Sequence, residues 1–509
     1  MSNNKLIMKN TAYLYIRMLL VMVVSIFTSR IILRNLGEVN YGLYGVVAGI
    51  ISMFTFLNGS LAAASSRYIT VELARGDFKQ LNKTFSTAFT IHLILAIIVI
   101  ILAETVGLWF LHNKMIIPPD RMYASEWVYQ LSILSCFFSI TQVPYGALIV
   151  AHENMKLFAY TAIIDVLFKL VLAYSLSVSP IDTLIFHAIL LCLMSVGMNI
   201  FYRIYCIRKY PETKIIFHSD WKQYKEVLSY TGADMIGNLS VLAQGQGLNM
   251  LLNTFFGPVV NAARGIAFQI QGAITQFSGN FFAAVRPQII KQYTTGNIKE
   301  MMTLVYRSSC FSYYLMWAIS LPVCLEAKYI LTLWLGEFPN HTINFLILTI
   351  VLCLIQTLKS PRSTIYHATG KLKFVNLTVG SILCMAFPLA YICLKCGGTP
   401  ESSFYAAIFT MILSEIVSII ILKKYLDYSA IDYTLNVHGR CLLVTSISFI
   451  IPFLLYDKIA DASFVRLIYT ATITTISIVA TVMTIGVNRR DRNLIINAIK
   501  NRIFSKWNK

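Results

Sequence analysis

Charge is scarce in this chain, acid scarcer still, and no long polar stretch interrupts it. Only 13% of its 509 residues are charged, with 23 Asp and Glu against 42 Lys and Arg, whereas an ordinary soluble domain carries about 25%. The largest loops between apolar runs, near 112–125 and 325–342, are under about 20 residues, too short for a core of their own. That excludes a separate catalytic domain. It also disfavours membrane glycosyltransferases, ligases and polymerases, which place acidic or His residues in a large external loop. The ten cysteines are scattered through apolar runs, and only Cys393 and Cys396 stand close together. No second pair or His cluster accompanies them, so they read as core residues, and no metal site is expected. A cleavable signal peptide is not expected either, because the first apolar run extends to Leu33 without a small-residue cleavage site after it.

What remains is apolar. Hydrophobic residues make up 57% of the chain, in runs of the length that crosses a bilayer as a helix, about 20 residues each. Fourteen such spans are predicted, centred near Met22, Ile50, Leu95, Phe137, Val166, Leu191, Ser240, Ala273, Met316, Leu348, Met385, Met411, Phe449 and Ile476. The seventh is the least apolar. The net charge of +19 would suggest nucleic acid in a soluble protein, but its placement follows topology. With the N-terminus cytoplasmic, thirty-one Lys and Arg fall inside, eight outside and three (Arg17, Lys169 and Arg264) within helices. This positive-inside bias puts both termini in the cytoplasm and removes the case for a nucleic-acid partner.

Gly37, Gly45, Gly59 and Gly76 recur 220 residues later as Gly257, Gly265, Gly279 and Gly296. Gly76-Asp77-Phe78-Lys79-Gln80 likewise parallels Gly296-Asn297-Ile298-Lys299-Glu300. A repeat this long implies a duplicated domain. Six spans separate the copies, so both enter the membrane in the same direction, as a parallel repeat. The expected organisation is an N-terminal six-helix bundle over 1–210, a basic cytoplasmic connector over 211–225 and a second six-helix bundle over 226–425. Helices thirteen and fourteen follow over 426–488, then a tail over 489–509. The tail sets Ile495, Ile499, Ile503 and Trp507 at successive i+4 steps among Arg and Lys, the pattern of a helix lying on the inner membrane surface.

Ionisable and amide groups inside spans are costly, and face a partner or an aqueous cavity. Arg17 lies about one and a half turns into the first span, and Arg30 and Arg34 stand near its outer end, where snorkelling also accounts for them. Arg264 opens helix eight near that same face. Helix seven sets Thr231, Asp234, Asn238, Gly245 and Asn249 within a roughly 60-degree arc, and helix eight sets Asn261, Arg264, Gln271, Thr275 and Ser278 within roughly 100 degrees. Either these stripes line a cavity, or they bond helices together. In helix five Asp165 and Lys169 stand at i, i+4, as a structural ion pair or as a site that exchanges H⁺ or Na⁺. Glu104 and Glu415 read either as proton sites or as carboxylates close to an interface, and His92 and His187 either as proton carriers or as hydrogen-bonded packing residues. A cavity supplied with Arg and few carboxylates favours an anionic cargo. Guanidinium groups bind phosphate through forked hydrogen bonds, and the amides and hydroxyls suit sugar.

The stretches Leu36-Gly37-Glu38-Val39-Asn40-Tyr41-Gly42-Leu43-Tyr44, Phe256-Gly257-Pro258-Val259-Val260-Asn261-Ala262-Ala263-Arg264-Gly265 and Leu331-Thr332-Leu333-Trp334-Leu335-Gly336 resemble polysaccharide exporters of the Wzx type. These belong to the multidrug/oligosaccharidyl-lipid/polysaccharide superfamily, and the resemblance covers about residues 8–425. It implies two six-helix bundles around a cationic cavity in the bacterial inner membrane. The implied activity is flipping of undecaprenyl-diphosphate-linked oligosaccharide by alternating access, without covalent chemistry. The implied partners are membrane lipid, the polyprenyl-diphosphate-linked oligosaccharide and other polysaccharide-assembly proteins. No cofactor is expected beyond a coupling H⁺ or Na⁺. On this reading Arg17, Arg264, Asn238, Asn249, Asn261, Gln271 and Thr275 bind substrate, and Asp165, Lys169 and Asp234 are the candidates for ion coupling. The competing functions are a cation-coupled drug exporter, which calls for an acidic cavity, a membrane-embedded polymerase or glycosyltransferase, and a non-transporting lipid scaffold.

Overall fold

A computed structural model of the chain describes residues 3–152, 154–216, 221, 224–225, 240, 242–369, 372–426, 428–456, 463–489, 492–493 and 497. For part of these, 3–20 and 276–281 among them, the backbone alone is described. Every regular element among the described residues is helical, so the all-α membrane fold expected from the apolar runs is the fold observed. Nine helices among those residues are long and apolar enough to cross a membrane. The spans expected near Met22, Ile50, Val166 and Ala273 also fall on helices, Asn3–Ser52, Met155–Ser175 and Pro258–Thr294. The seventh span lies largely outside the described residues.

In chain order the helices are α1 (Asn3–Ser52), α2 (Phe56–Arg75), α3 (Phe78–Leu102), α4 (Leu108–Asn113), α5 (Met122–Ala151), α6 (Met155–Ser175) and α7 (Thr183–Lys209). After the connector come α8 (Leu248–Phe256), α9 (Pro258–Thr294), α10 (Ile298–Leu325), α11 (Ala327–Leu335) and α12 (Thr342–Thr369). The last are α13 (Leu372–Cys384), α14 (Ala386–Lys395), α15 (Ser402–Tyr425), α16 (Ala430–Tyr433), α17 (Arg440–Tyr456) and α18 (Phe464–Thr481). Four π-helical turns interrupt them, at Ala103–Gly107, Ala243–Gly247, Thr434–Gly439 and Val482–Gly486.

The repeated glycines now have a conformational cause. Gly37 breaks α1 at φ 75°, ψ 167°, and Gly257 separates α8 from α9 at φ 79°, ψ −175°, a region that essentially glycine alone occupies. Their downstream partners agree, Gly76 at φ 74° and Gly296 at φ 76°. After Gly76 the Asp77 carboxylate accepts from the backbone N–H of Lys79 at 3.1 Å and of Gln80 at 3.0 Å, and so starts α3. Asp182 starts α7 in the same way, accepting from Leu184 N and Ile185 N, and also pairs with Arg121 at 2.6 Å.

The chain divides into two compact units. The first comprises Met1–Ile266, Trp334–Thr342 and Asn376–Thr410, and the second Ala267–Leu333, Ile343–Val375 and Met411–Lys509. In the first, Leu43, Val46 and Val47 of α1 pack with Val99 of α3, Val128 and Tyr129 of α5 and Leu184 of α7, all buried. Lipid is as apolar as these side chains, so van der Waals fit and interhelical hydrogen bonds hold them together. Tyr129 shows both. Its hydroxyl donates to Ala103 O at 2.6 Å in the first π turn, and a Cβ on Gly107 would meet that hydroxyl at 2.1 Å. In the second unit the Trp317 indole donates to Ser448 Oγ at 2.9 Å, and Tyr313 meets Thr445 at 2.8 Å, joining α10 to α17.

Candidate functional site

Four of the positions singled out in helices seven and eight, Gly245, Asn249, Asn261 and Arg264, meet in the first unit, where α8, the start of α9 and the later part of α1 converge. Pro258 opens α9 at the position where its missing N–H costs nothing. Gly42 admits this helix start to within backbone contact of α1, since a Cβ there would fall 1.8 Å from Pro258 O. One turn on, the Asn261 amide donates to Asn249 O at 2.7 Å and to Asn249 Oδ1 at 2.9 Å. Asn249 in turn donates to Gly45 O at 3.4 Å. These amides therefore bond α9 to α8 and α8 to α1. Asn253, fully buried, does the same toward the loop after α4, accepting from Ile116 N at 2.9 Å.

Arg264 sits above this ladder, 4% exposed. Its Nη2 donates to Gly245 O at 2.9 Å, and its guanidinium carbon lies 5.5 Å from the centre of the Phe404 ring. Gly245 belongs to the π turn Ala243–Gly247, and its carbonyl also accepts from the backbone N–H of Leu248 at the end of that turn. Such turns recur at functional sites. The wide turn also alters the sequence arithmetic: a constant 100 degrees per residue does not carry through it, so the arc drawn from Thr231 to Asn249 does not continue unbroken.

The other candidates separate from this ladder. Gln271 and Thr275, about two and three turns beyond Arg264 along α9, belong to the second unit. There Thr275 borders a cavity of about 160 Å³ with Ser312, Gln356, Thr357 and Ser360. Phe282 and Cys353 complete its lining, and its volume is below the roughly 300 Å³ at which ligand pockets begin, so it suits no more than a single small group. Gln271 Oε1 is buried with no hydrogen-bond partner among the described residues. Asp165 and Lys169 form their ion pair at 2.8 Å on α6, about one third and one half exposed. No hydrogen bond or ion pair joins them to the Arg264 ladder among the described residues. Arg17 lies in α1 with its side chain outside the described residues, and Asp234 and Asn238 lie outside them altogether. Glu104 accepts from Gln130 at 3.2 Å. His92 bonds Ala88 O at 2.7 Å, and His187 packs edge-on against Tyr44 at 4.7 Å. At the Gly37 turn, partial burial holds the Glu38 carboxyl above its ordinary range, and Glu337 adds to the effect.

One cluster is only half visible in the sequence, at Glu415. Arg362 is one of the thirty-one basic residues that the positive-inside count places in the cytoplasm, but α12 runs on to Thr369 and buries it completely, 2.6 Å from Glu415 of α15. His438 stands 3.2 Å from the other carboxylate oxygen. Arg203 was counted in the same way. It lies in α7, hydrogen-bonded to Thr141 and stacked over Phe138 at 5.3 Å. Both belong to helices that continue past the apolar stretch from which their ends were judged.

A family model described as polysaccharide biosynthesis protein matches residues 7–293, more than half of the chain. Among solved structures, the lipid II flippase MurJ in an inward closed conformation is similar at TM-score 0.71 and 13% identity, covering 92% of this chain and 97% of that one. A transporter of the MOP superfamily from Pyrococcus furiosus is similar at TM-score 0.59 and 13% identity, covering 83% and 96%. A MATE protein in complex with MaD3S follows at TM-score 0.56 and 15% identity, covering 80% and 93%. The fold is thus that of MOP transporters. A search of curated proteins finds no match.

Proposed function

The chain belongs to the polysaccharide biosynthesis protein family, and from that membership we propose that it flips a polyprenyl-diphosphate-linked oligosaccharide across the bacterial inner membrane. The observation that carries the reading is the agreement of nearly the whole chain with the fold of a lipid II flippase, joined to a family concerned with polysaccharide. Lipid-linked transport needs no covalent step, and the positive-inside bias supports cytoplasmic termini.

Arg264 is the residue to which this reading assigns the diphosphate. A guanidinium held in a low-dielectric site gives strong, forked contacts to phosphate oxygens once it is uncovered. Its bond to Gly245 O and its stacking on Phe404 hold it ready in the resting state. Asn249 and Asn261 then position α8 and α9, and the hydroxyl-lined cavity beside Thr275 receives a sugar hydroxyl. Arg17, Asn238 and Gln271 remain assigned to substrate. Asp165, Lys169 and Asp234 remain the residues to examine for H⁺ or Na⁺ coupling.

The test is transport of undecaprenyl-diphosphate-linked oligosaccharide in vesicles reconstituted with the native chain or Arg264→Ala. The native chain should expose the sugar on the opposite leaflet, and Arg264→Ala should abolish this at an equal amount of folded protein. Export of cationic drugs by the native chain, with no glycolipid movement, would establish the drug-exporter reading instead.

A further inference from the structure

The second compact unit holds a cationic cavity that the transport reading does not use. It measures about 210 Å³ and is walled by Tyr306, Arg307 and Tyr314 of α10, by Asn436 and Arg440 at the start of the thirteenth span, and by Asn488 after the fourteenth. No carboxylate lines it among the described residues. Two of the four π turns build its walls: Thr434–Gly439 supplies Asn436, and Val482–Gly486 supplies Gly486. The wall at Gly486 is close-fitting. A Cβ there would meet the Tyr314 ring at 3.2 Å, and the Tyr314 hydroxyl donates to Gly486 O at 3.0 Å.

Arg440 carries the argument. Its Nη1 donates to Asn488 Oδ1 at 2.9 Å and its Nη2 to Asn436 Oδ1 at 3.3 Å. Both acceptors are neutral amides. They fix the plane of the guanidinium without cancelling its charge, and no carboxylate pairs with Arg440 among the described residues. Arg307 adds a second guanidinium to the same cavity. Just beyond the rim stand Arg489, exposed, and Arg492, whose Nη2 is anchored on Thr484 O at 2.5 Å. A concave site with two guanidiniums and no acid favours an oxyanion, and forked guanidinium geometry favours phosphate.

The surroundings identify the source of that phosphate. Leu442 and Leu443, two and three residues after Arg440, are 63% and 55% exposed, and Ile485, directly before Gly486, is 40% exposed. A free phosphate has no use for apolar neighbours of this kind, whereas a phospholipid lays its chains along them. The cavity is smaller than the roughly 300 Å³ at which ligand pockets begin, so it accepts a headgroup and leaves the chains outside. Basic cavities between spanning helices at the cytoplasmic face are the usual docking place for anionic headgroups.

We propose that the cavity between Arg307, Arg440 and Asn488 binds the phosphate of an anionic phospholipid, tying the last two spans to the inner leaflet. The test uses the full-length protein purified in uncharged detergent, with thermal unfolding followed on addition of phosphatidylglycerol, phosphatidylcholine or inorganic phosphate. Phosphatidylglycerol should raise the midpoint of the native chain, and the other two should not. Arg440→Gln and Asn488→Asp should each at least halve that rise. The second variant keeps the side-chain volume and sets a carboxylate against Arg440, so it separates lost charge from lost packing. Arg75→Gln removes one positive charge elsewhere and should keep the full rise. An equal loss in Arg75→Gln, an undiminished rise in both cavity variants, an equal response to phosphatidylcholine, or a full response to inorganic phosphate alone would each overturn the proposal.

Discussion

Arg362 Nη2 lies 2.6 Å from Glu415 Oε2, and the two side chains are 0% and 6% exposed. Their surroundings add further contacts: Arg362 Nε donates to Ser418 Oγ at 3.3 Å, the guanidinium carbon lies 5.4 Å from the Tyr433 ring centre, and His438 stands at the second carboxylate oxygen. The tenth and twelfth spans and the turn that leads into the thirteenth are thereby joined at one cluster.

Breaking that pair from one side strands a buried charge. Glu415→Gln should destabilise the protein by about 3–5 kcal/mol, whereas Arg362→Met with Glu415→Leu should recover most of the loss. Thermal unfolding of the purified protein in detergent measures both. An unaltered midpoint in Glu415→Gln would contradict the buried pair.

Gly42 and Gly45 stand one turn apart in α1 and should behave oppositely. Alanine at 42 places its Cβ 1.8 Å from a backbone oxygen that cannot rotate away, while at 45 nothing lies within 4 Å. Gly42→Ala should therefore abolish folded protein, and Gly45→Ala should be neutral or add up to about 1 kcal/mol through helix propensity. Equal yields of both by size-exclusion chromatography would refute the close approach of α9.

Asn253 serves a backbone. Asn253→Ala removes the acceptor of the Ile116 N–H, in a partly exposed loop, at a cost of about 0.5–1.5 kcal/mol. Hydrogen exchange at Ile116 should accelerate accordingly. A rate equal to that of the native chain would show that another group has taken over the bond.

The Asp165–Lys169 pair is half exposed and spaced i, i+4, a geometry worth about 0.3–0.5 kcal/mol. Asp165→Asn should leave the unfolding midpoint nearly unchanged. Glycolipid transport measured across a pH or Na⁺ gradient then separates the two roles: a structural pair leaves the gradient dependence intact, and a coupling site loses it.

Much of the fold could be read from the sequence because apolar length and positive-inside charge are local signals. The amide ladder could be read only in part. Asn249, Asn261 and Arg264 were singled out as costly residues in a bilayer, but hydropathy does not distinguish an amide that faces a cavity from one that bonds a neighbouring helix. The Arg362–Glu415 pair was legible only at Glu415, a carboxylate inside a span, because its members lie 53 positions apart and a basic residue near the end of a span resembles any other topogenic charge. The π turns were silent. Each is a change of winding imposed by packing, and at Ala243–Gly247 it reset the very periodicity used to draw the polar stripe.

The four left-handed glycines differ from Gly42 in what they forbid. At Gly37, Gly76 and Gly296 nothing stands within 4 Å of an added Cβ, and at Gly257 only Ile116 does, at an ordinary 3.6 Å. Room is not the constraint there. The mirror image of alanine would fit where alanine itself is strained, so what these positions select is handedness. Two halves that do not share the Arg264 guanidinium, whose counterpart is Tyr44, still share the sites where an L-amino acid is disfavoured, and the ancestral duplication survives in this chain as a record of chirality.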